Sequence, residues 1–76
     1  RLEDRMREVK IRQEEEFIRL GQALKKAGLT DSGVEAKLVI QDGEVSVNGE
    51  VELRRGRKLY GGEEITYDGQ TLKVVK

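Results

Sequence analysis

Arg54, Arg55, Arg57 and Lys58 fill four of the five positions from 54 to 58, within the stretch VELRRGRKLYGG, and only Gly56 interrupts them. A guanidinium is a planar fork of donors. It fits the oxygens of a phosphate or carboxylate in pairs and stays charged at any working pH. Cations gathered this closely suit an extended polyanion, and a phosphate backbone is the obvious one. Gly56 would let the loop bend sharply or approach a ligand closely. The competing reading is a solvated loop whose cations pair with Glu50, Glu52, Glu63 or Glu64.

A second cationic set is Arg19, Lys25, Lys26 and Lys37. Lys25 and Lys26 have an ordinary explanation at the end of a helix, where the backbone dipole favours positive charge. Lys37, beside Ala36 on a short helix, is less easily explained that way. Histidine and cysteine are both absent, which removes the usual general base near neutral pH, the commonest metal ligand and any thiolate chemistry. Glu14, Glu15 and Glu16 read as first-turn helix acids before they read as a metal site. No phosphate-cradling glycine loop, nucleophile motif or zinc spacing occurs. An enzyme is not expected, nor is a cofactor. Tyr60 and Tyr67 have rings able to stack on bases, although half-buried sheet positions are the plainer expectation for both.

The 76 residues carry 15 basic and 15 acidic groups, so the chain is formally neutral. The signs are nevertheless sorted along it. Residues 38–52 hold four acids (Asp42, Glu44, Glu50, Glu52) and no base, and residues 53–60 hold the four loop cations and no acid. A ligand within about 8 Å at physiological salt responds to such a patch and not to the total. A chain of this length supports one domain with a small core. No apolar run approaches the roughly 20 residues that span a bilayer, so a cytoplasmic protein with no membrane contact is expected. Met6 is a candidate natural start; residues 1–6 are read as disordered or extraneous, and residues 7–76 as the domain.

The elements that must position these groups follow from periodicity and turn chemistry. EVKI (8–11) alternates weakly as a short strand. EEEFIRLGQALKKAG (14–28) predicts a helix with Phe17, Leu20, Leu24 and Ala27 on one face and Gly28 as its stop. On that helix Arg19 and Lys26 would fall together, opposite the apolar stripe. DSGVEAKLVIQDG (31–43) predicts a second helix, opened by a Ser32/Glu35 capping box and burying Ala36, Val39 and Ile40. Asn48-Gly49 and Asp68-Gly69 each lie between alternating runs and predict two hairpins, over 44–53 and 63–75. In the first, Val45, Val47, Val51 and Leu53 are the expected inward set. The architecture is α+β: two packed helices in a helix–turn–helix pair on a small, mostly antiparallel sheet.

In this order the pieces LGQALKKAGL, DSGVEAKLVIQDGEV, VNGE and RRGRKL resemble the S4-type RNA-binding domain, and most of all its stand-alone bacterial YaaA/YbcJ-like members. The resemblance covers about residues 8–75. Gly33 stands where many S4-type domains carry arginine and the stand-alone type often shows glycine, and Gly62-Glu63 replaces the usual Gly-Asp. The resemblance implies the S4-like alpha-L fold and non-catalytic binding of structured RNA, ribosomal RNA first and transfer RNA second. It implies a ribosomal subunit as partner, with a role in ribosome assembly or ribosome-associated quality control. The implied RNA face comprises Arg19, Lys26, Lys37, Asn48, Arg54, Arg55, Arg57 and Lys58. A monomer is the default. Two alternatives remain. One is a protein-interaction module that docks a basic ribosomal protein on the acidic 42–52 hairpin. The other is a β-grasp carrier, which would need a C-terminal Gly-Gly where this chain ends LKVVK.

Overall fold

Asn48-Gly49 and Asp68-Gly69 take the left-handed backbone that two-residue hairpin turns require, with φ of 53° and 87° in the first pair and 54° and 75° in the second. The first joins β3 (Val45–Val47) to β4 (Glu50–Val51), and the second joins β6 (Glu64–Tyr67) to β7 (Gln70–Val75). The computed structural model describes residues 7–76; the expectations for residues 1–6, including Met6 as a start, lie outside the described residues. β3 pairs with β6, and β1 (Arg7–Lys10) adds to β7 in parallel, with Arg7 opposite Leu72 and Lys10 opposite Val75. The sheet order is therefore β1-β7-β6-β3-β4, with one parallel pair in an otherwise antiparallel sheet.

The helices are α1 (Leu20–Lys26) and α2 (Gly33–Gln41). α1 stops where expected. Gly28 adopts φ 78°, and the Leu29 amide donates back to Leu24 O at 3.0 Å, closing the last turn. The capping box of α2 is present with a shifted return arm. Ser32 Oγ accepts from the Glu35 amide at 3.1 Å, while Glu35 Oε1 accepts from the Asp31 amide at 2.6 Å. Leu20, Ala23 and Leu24 of α1 and Ala36, Val39 and Ile40 of α2 are buried against Val45, Val47, Ile65, Leu72 and Val74 of the sheet.

The first helix is shorter than the periodicity suggests. Residues 14–17 are not helical, and Ile18–Arg19 form a two-residue strand, β2, paired antiparallel with β5 (Lys58–Leu59). Ile18 and Leu59 are buried by that pairing. The reading of Glu14–Glu16 as first-turn acids is thereby overturned. A β-branched residue with a partner forty positions downstream outweighs a local pattern that helix and strand share. Phe17, assigned with Leu20 to one helical face, lies outside the helix and just before β2.

Candidate nucleic-acid interface

The basic loop runs from the end of β4 to β5, and its conformation begins with a register. A two-residue turn places Val47 opposite Glu50 and Ser46 opposite Val51. One step further, the Glu52 amide donates to Val45 O at 3.0 Å. Opposed residues share a face of the sheet, so Glu52 joins Val45 and Val47 on the core side. Glu52 is 8% exposed, whereas Val51 and Leu53 are 59% and 57% exposed. The expected inward set of the first hairpin is thus half wrong. The signal that would have corrected it was present: a two-residue turn after Val47 assigns even-numbered residues to the inner face of the return strand.

A carboxylate carried to the core edge needs cations, and the loop supplies them. Arg54 donates to Glu52 Oε2 from its amide (3.1 Å) and its Nε (3.0 Å), and to Oε1 from Nη2 (3.3 Å). Arg57 Nη1 donates to Oε1 at 2.9 Å. The hydrogen bond from the Arg54 side chain is the largest influence on this carboxyl. Burial opposes it, but the Arg54 amide and Arg57 add to it, and the pKa falls to about 2. Half of the cationic run is therefore bound internally, as the solvated-loop reading anticipated for Glu52. Arg55 and Lys58 make no ion pair among the described residues.

The loop backbone is fastened to the start of α1. Leu20 and Gly21 donate their amides to Arg57 O (2.9 Å) and Arg55 O (3.0 Å). These satisfy two of the amides that a helix N-terminus leaves unpaired. Arg19 spans the junction: its amide donates to Gln22 Oε1 at 3.1 Å, and its Nη1 donates to Gly56 O at 3.1 Å. With the carbonyls turned to the helix, Arg55 is left exposed. Between the helices and the loop lies an open groove of about 510 Å³, lined by Arg19, Lys25, Arg55, Gln22 and three glycines, Gly21, Gly33 and Gly56. A Cβ built at Gly33 would meet nothing within 4 Å, so packing does not demand glycine there, and its smallness leaves the groove open. Gly56 has no left-handed φ, and a Cβ there would meet Arg19 Nη1 at an ordinary 3.6 Å. The loop does turn at Arg55–Gly56, where the Arg57 amide donates to Arg54 O at 3.3 Å, but the turn needs no left-handed glycine.

The residues singled out in the sequence separate in space. Arg19 and Arg55 line the groove, and so does Lys25. Lys26 turns away, donating from Nζ to Lys10 O at 2.7 Å. Arg19 and Lys26 do not share a helical face, because Arg19 caps α1 in extended backbone (φ −84°, ψ 151°). Lys37 is exposed on α2 and is not among the groove residues. Asn48 is exposed, but its Oδ1 accepts from the Glu64 amide at 2.9 Å and holds the hairpin to β6. Lys58 lies over the Phe17 ring, 4.9 Å from its centroid. Tyr67 is half-buried as expected, but Tyr60 is not: it is 54% exposed. Of the acidic hairpin, Asp42, Glu44 and Glu50 are exposed and Glu52 is withdrawn.

A short-linked helix pair on a small sheet, with a cationic loop bound across the start of the first helix, defines an S4-type domain of the alpha-L kind. The S4 domain family matches residues 9–75, and the chain belongs to that family. Among its relatives, a probable ribosome maturation protein RlbA of Bacillus subtilis is 48% identical over 54 residues, covering 71% of this chain and 76% of that protein. The putative RNA-binding protein YbcJ of Escherichia coli is 36% identical over 58 residues, covering 76% and 83% of the two chains. The solution structure of E. coli YbcJ, described as revealing an alfaL motif involved in RNA-binding, superposes with a TM-score of 0.73 at 30% identity, over 96% of this chain and 91% of that one.

Proposed function

We propose that this domain binds structured RNA without catalysis and holds a stretch of sugar–phosphate backbone in the groove between the helices and the basic loop. The observation that carries the reading is the convergence of Arg19, Lys25 and Arg55 on one open groove whose other walls are largely glycine. A-form RNA hides its base edges in a deep major groove, so a site built from cations and backbone suits recognition by shape. The target we favour is ribosomal RNA on a ribosomal subunit, with transfer RNA second, engaged by a monomer in the cytoplasm. The ribosome-maturation name of the Bacillus relative supports that choice.

The test is fluorescence anisotropy with a labelled ribosomal RNA hairpin between 50 and 200 mM salt, conditions across which phosphate contacts lose affinity steeply, by about 0.9 units of logarithmic slope per contact on a duplex. The Lys25→Ala/Arg55→Ala variant should lose affinity and between one and two units of slope, roughly what two lost phosphate contacts give. An unchanged slope in a folded variant would refute the groove. The second reading, a basic ribosomal protein docked on the acidic hairpin, is favoured by the exposure of Val51 and Leu53 beside Asp42, Glu44 and Glu50. It predicts that Val51→Ser/Leu53→Ser abolishes ribosomal-protein binding and leaves RNA binding intact.

A further inference from the structure

The two-stranded ribbon β2–β5 has a buried face and an outward face. Ile18 and Leu59 are opposed and buried. Arg19 and Lys58 are opposed on the outward side, and Phe17 and Tyr60 lie just beyond the ribbon, immediately before β2 and immediately after β5. Phe17 and Tyr60 meet there with ring centroids 5.8 Å apart at 57°. The Arg19 guanidinium carbon lies 5.5 Å from the Phe17 centroid, and Lys58 Nζ lies 4.9 Å from it. Two of the three aromatic residues in the chain are on this one small surface.

The two rings differ in what covers them. Phe17 carries both cations and is half-buried. Tyr60 is 54% exposed and has no cation over its ring among the described residues. Its backbone is nevertheless fixed: Glu63 Oε2 accepts from the Tyr60 amide at 2.9 Å, and Glu63 Oε1 accepts from the Gly61 amide at 2.8 Å. An exposed ring on a pinned backbone is already placed for a stacking partner. It is also joined to the groove, because Arg19 both contacts Phe17 and lines that groove.

From this placement we infer that Tyr60, backed by Phe17, is a stacking site for one unpaired nucleobase adjoining the duplex whose phosphates occupy the groove. The inference rests on the RNA-binding reading above and specifies its ligand: a junction between paired and unpaired nucleotides, such as a bulge or overhang. Bases within a duplex offer no free face, whereas any unpaired base does, so the site should tolerate sequence and demand a loose base.

The experiment compares two RNAs with one stem, one fully paired and one carrying a single unpaired 2-aminopurine at its end. Affinity is read by anisotropy and stacking by 2-aminopurine fluorescence. Wild type should prefer the unpaired-base RNA by at least roughly fivefold, the ratio that about 1 kcal/mol of stacking gives, with quenching on binding. Tyr60→Ala should lose the preference and the quenching while keeping stem affinity and salt slope, and Tyr60→Phe should retain all of them. If wild type binds both RNAs equally with a steep salt dependence, the groove stands and the stacking site is refuted. A Tyr60→Ala variant that keeps the preference refutes it as well. If wild type binds neither RNA, both readings fall together.

Discussion

Replacing Glu52 with glutamine keeps the side-chain shape and removes the charge that Arg54 and Arg57 share. The folded-state pKa of Glu52 is depressed, from an ordinary 4.5 to about 2. Its contribution to stability is therefore present above pH 4.5 and is lost as the pH falls toward 2. A depression of that size corresponds to about 3 kcal/mol at neutral pH. The Arg54 side chain is 76% exposed, and water screening reduces the figure to about 2 kcal/mol. Against a total of roughly 4–11 kcal/mol for a domain of this length, such a loss is large. Urea unfolding followed by circular dichroism should place Glu52→Gln about 2 kcal/mol below wild type at pH 7, with the gap narrowing steadily between pH 4.5 and pH 2. Groups common to both proteins cancel in the difference. A gap that stays constant with pH, or no gap at pH 7, would refute the electrostatic account of the loop. The same variant releases two arginines, so its RNA salt slope should rise while its stability falls.

Arg54→Ala should raise the Glu52 pKa toward its ordinary value and shift the acid-unfolding midpoint upward, since Arg54 is the main cause of the depression; the RNA salt slope should change little. Asn48→Ala removes the hydrogen bond to the Glu64 amide and leaves a side chain ill suited to φ 53°; a loss of about 1–2 kcal/mol in urea unfolding is expected, without a change in salt slope. Thr30 is buried, and its Oγ1 has no hydrogen-bond partner among the described residues. Thr30→Val should therefore stabilise the domain by about 1 kcal/mol, read as a rise in Tm of about 4–8 °C.

What the sequence discloses here is what neighbours in the chain decide between themselves. Asn48-Gly49, Asp68-Gly69, the Gly28 stop and the Ser32/Glu35 cap each involve residues within a few positions, and each is found in the structure. The β2–β5 ribbon escaped the reading because its only content is a pairing of residues 18–19 with residues 58–59. No two-residue strand has a periodicity to detect. The groove was half legible for the same reason. Arg55 stood out as part of a run, but whether it or Arg54 is engaged by a carboxylate depends on which inner-face position holds one. Lys25 and Lys26 are adjacent and chemically identical, but on α1 they point about 100° apart, and the approach of β1, which offers Lys10 O to Lys26, decides which of the two is engaged. The exposure of Tyr60 follows from Leu59 being the buried member of β5, which the ribbon alone determines.

The strand order has a consequence for how the chain comes to be folded during synthesis. β6 and β7, the last strands to be made, lie between β1 on one side and β3 and β4 on the other. β1 finds its partner in β7 some sixty-five positions later, as the match of Arg7 with Leu72 shows. Until the Asp68-Gly69 hairpin emerges, the growing chain can close the helix pair and the β3–β4 turn, but β1 has no neighbour and β3 lacks one of its two. Closing such distant contacts is the slow step in assembling a sheet. Assembly of the domain is therefore timed by the arrival of its final hairpin, and because helices this short lean on the sheet for their stability, a nascent chain halted before Glu64 should lack the circular dichroism of the folded domain.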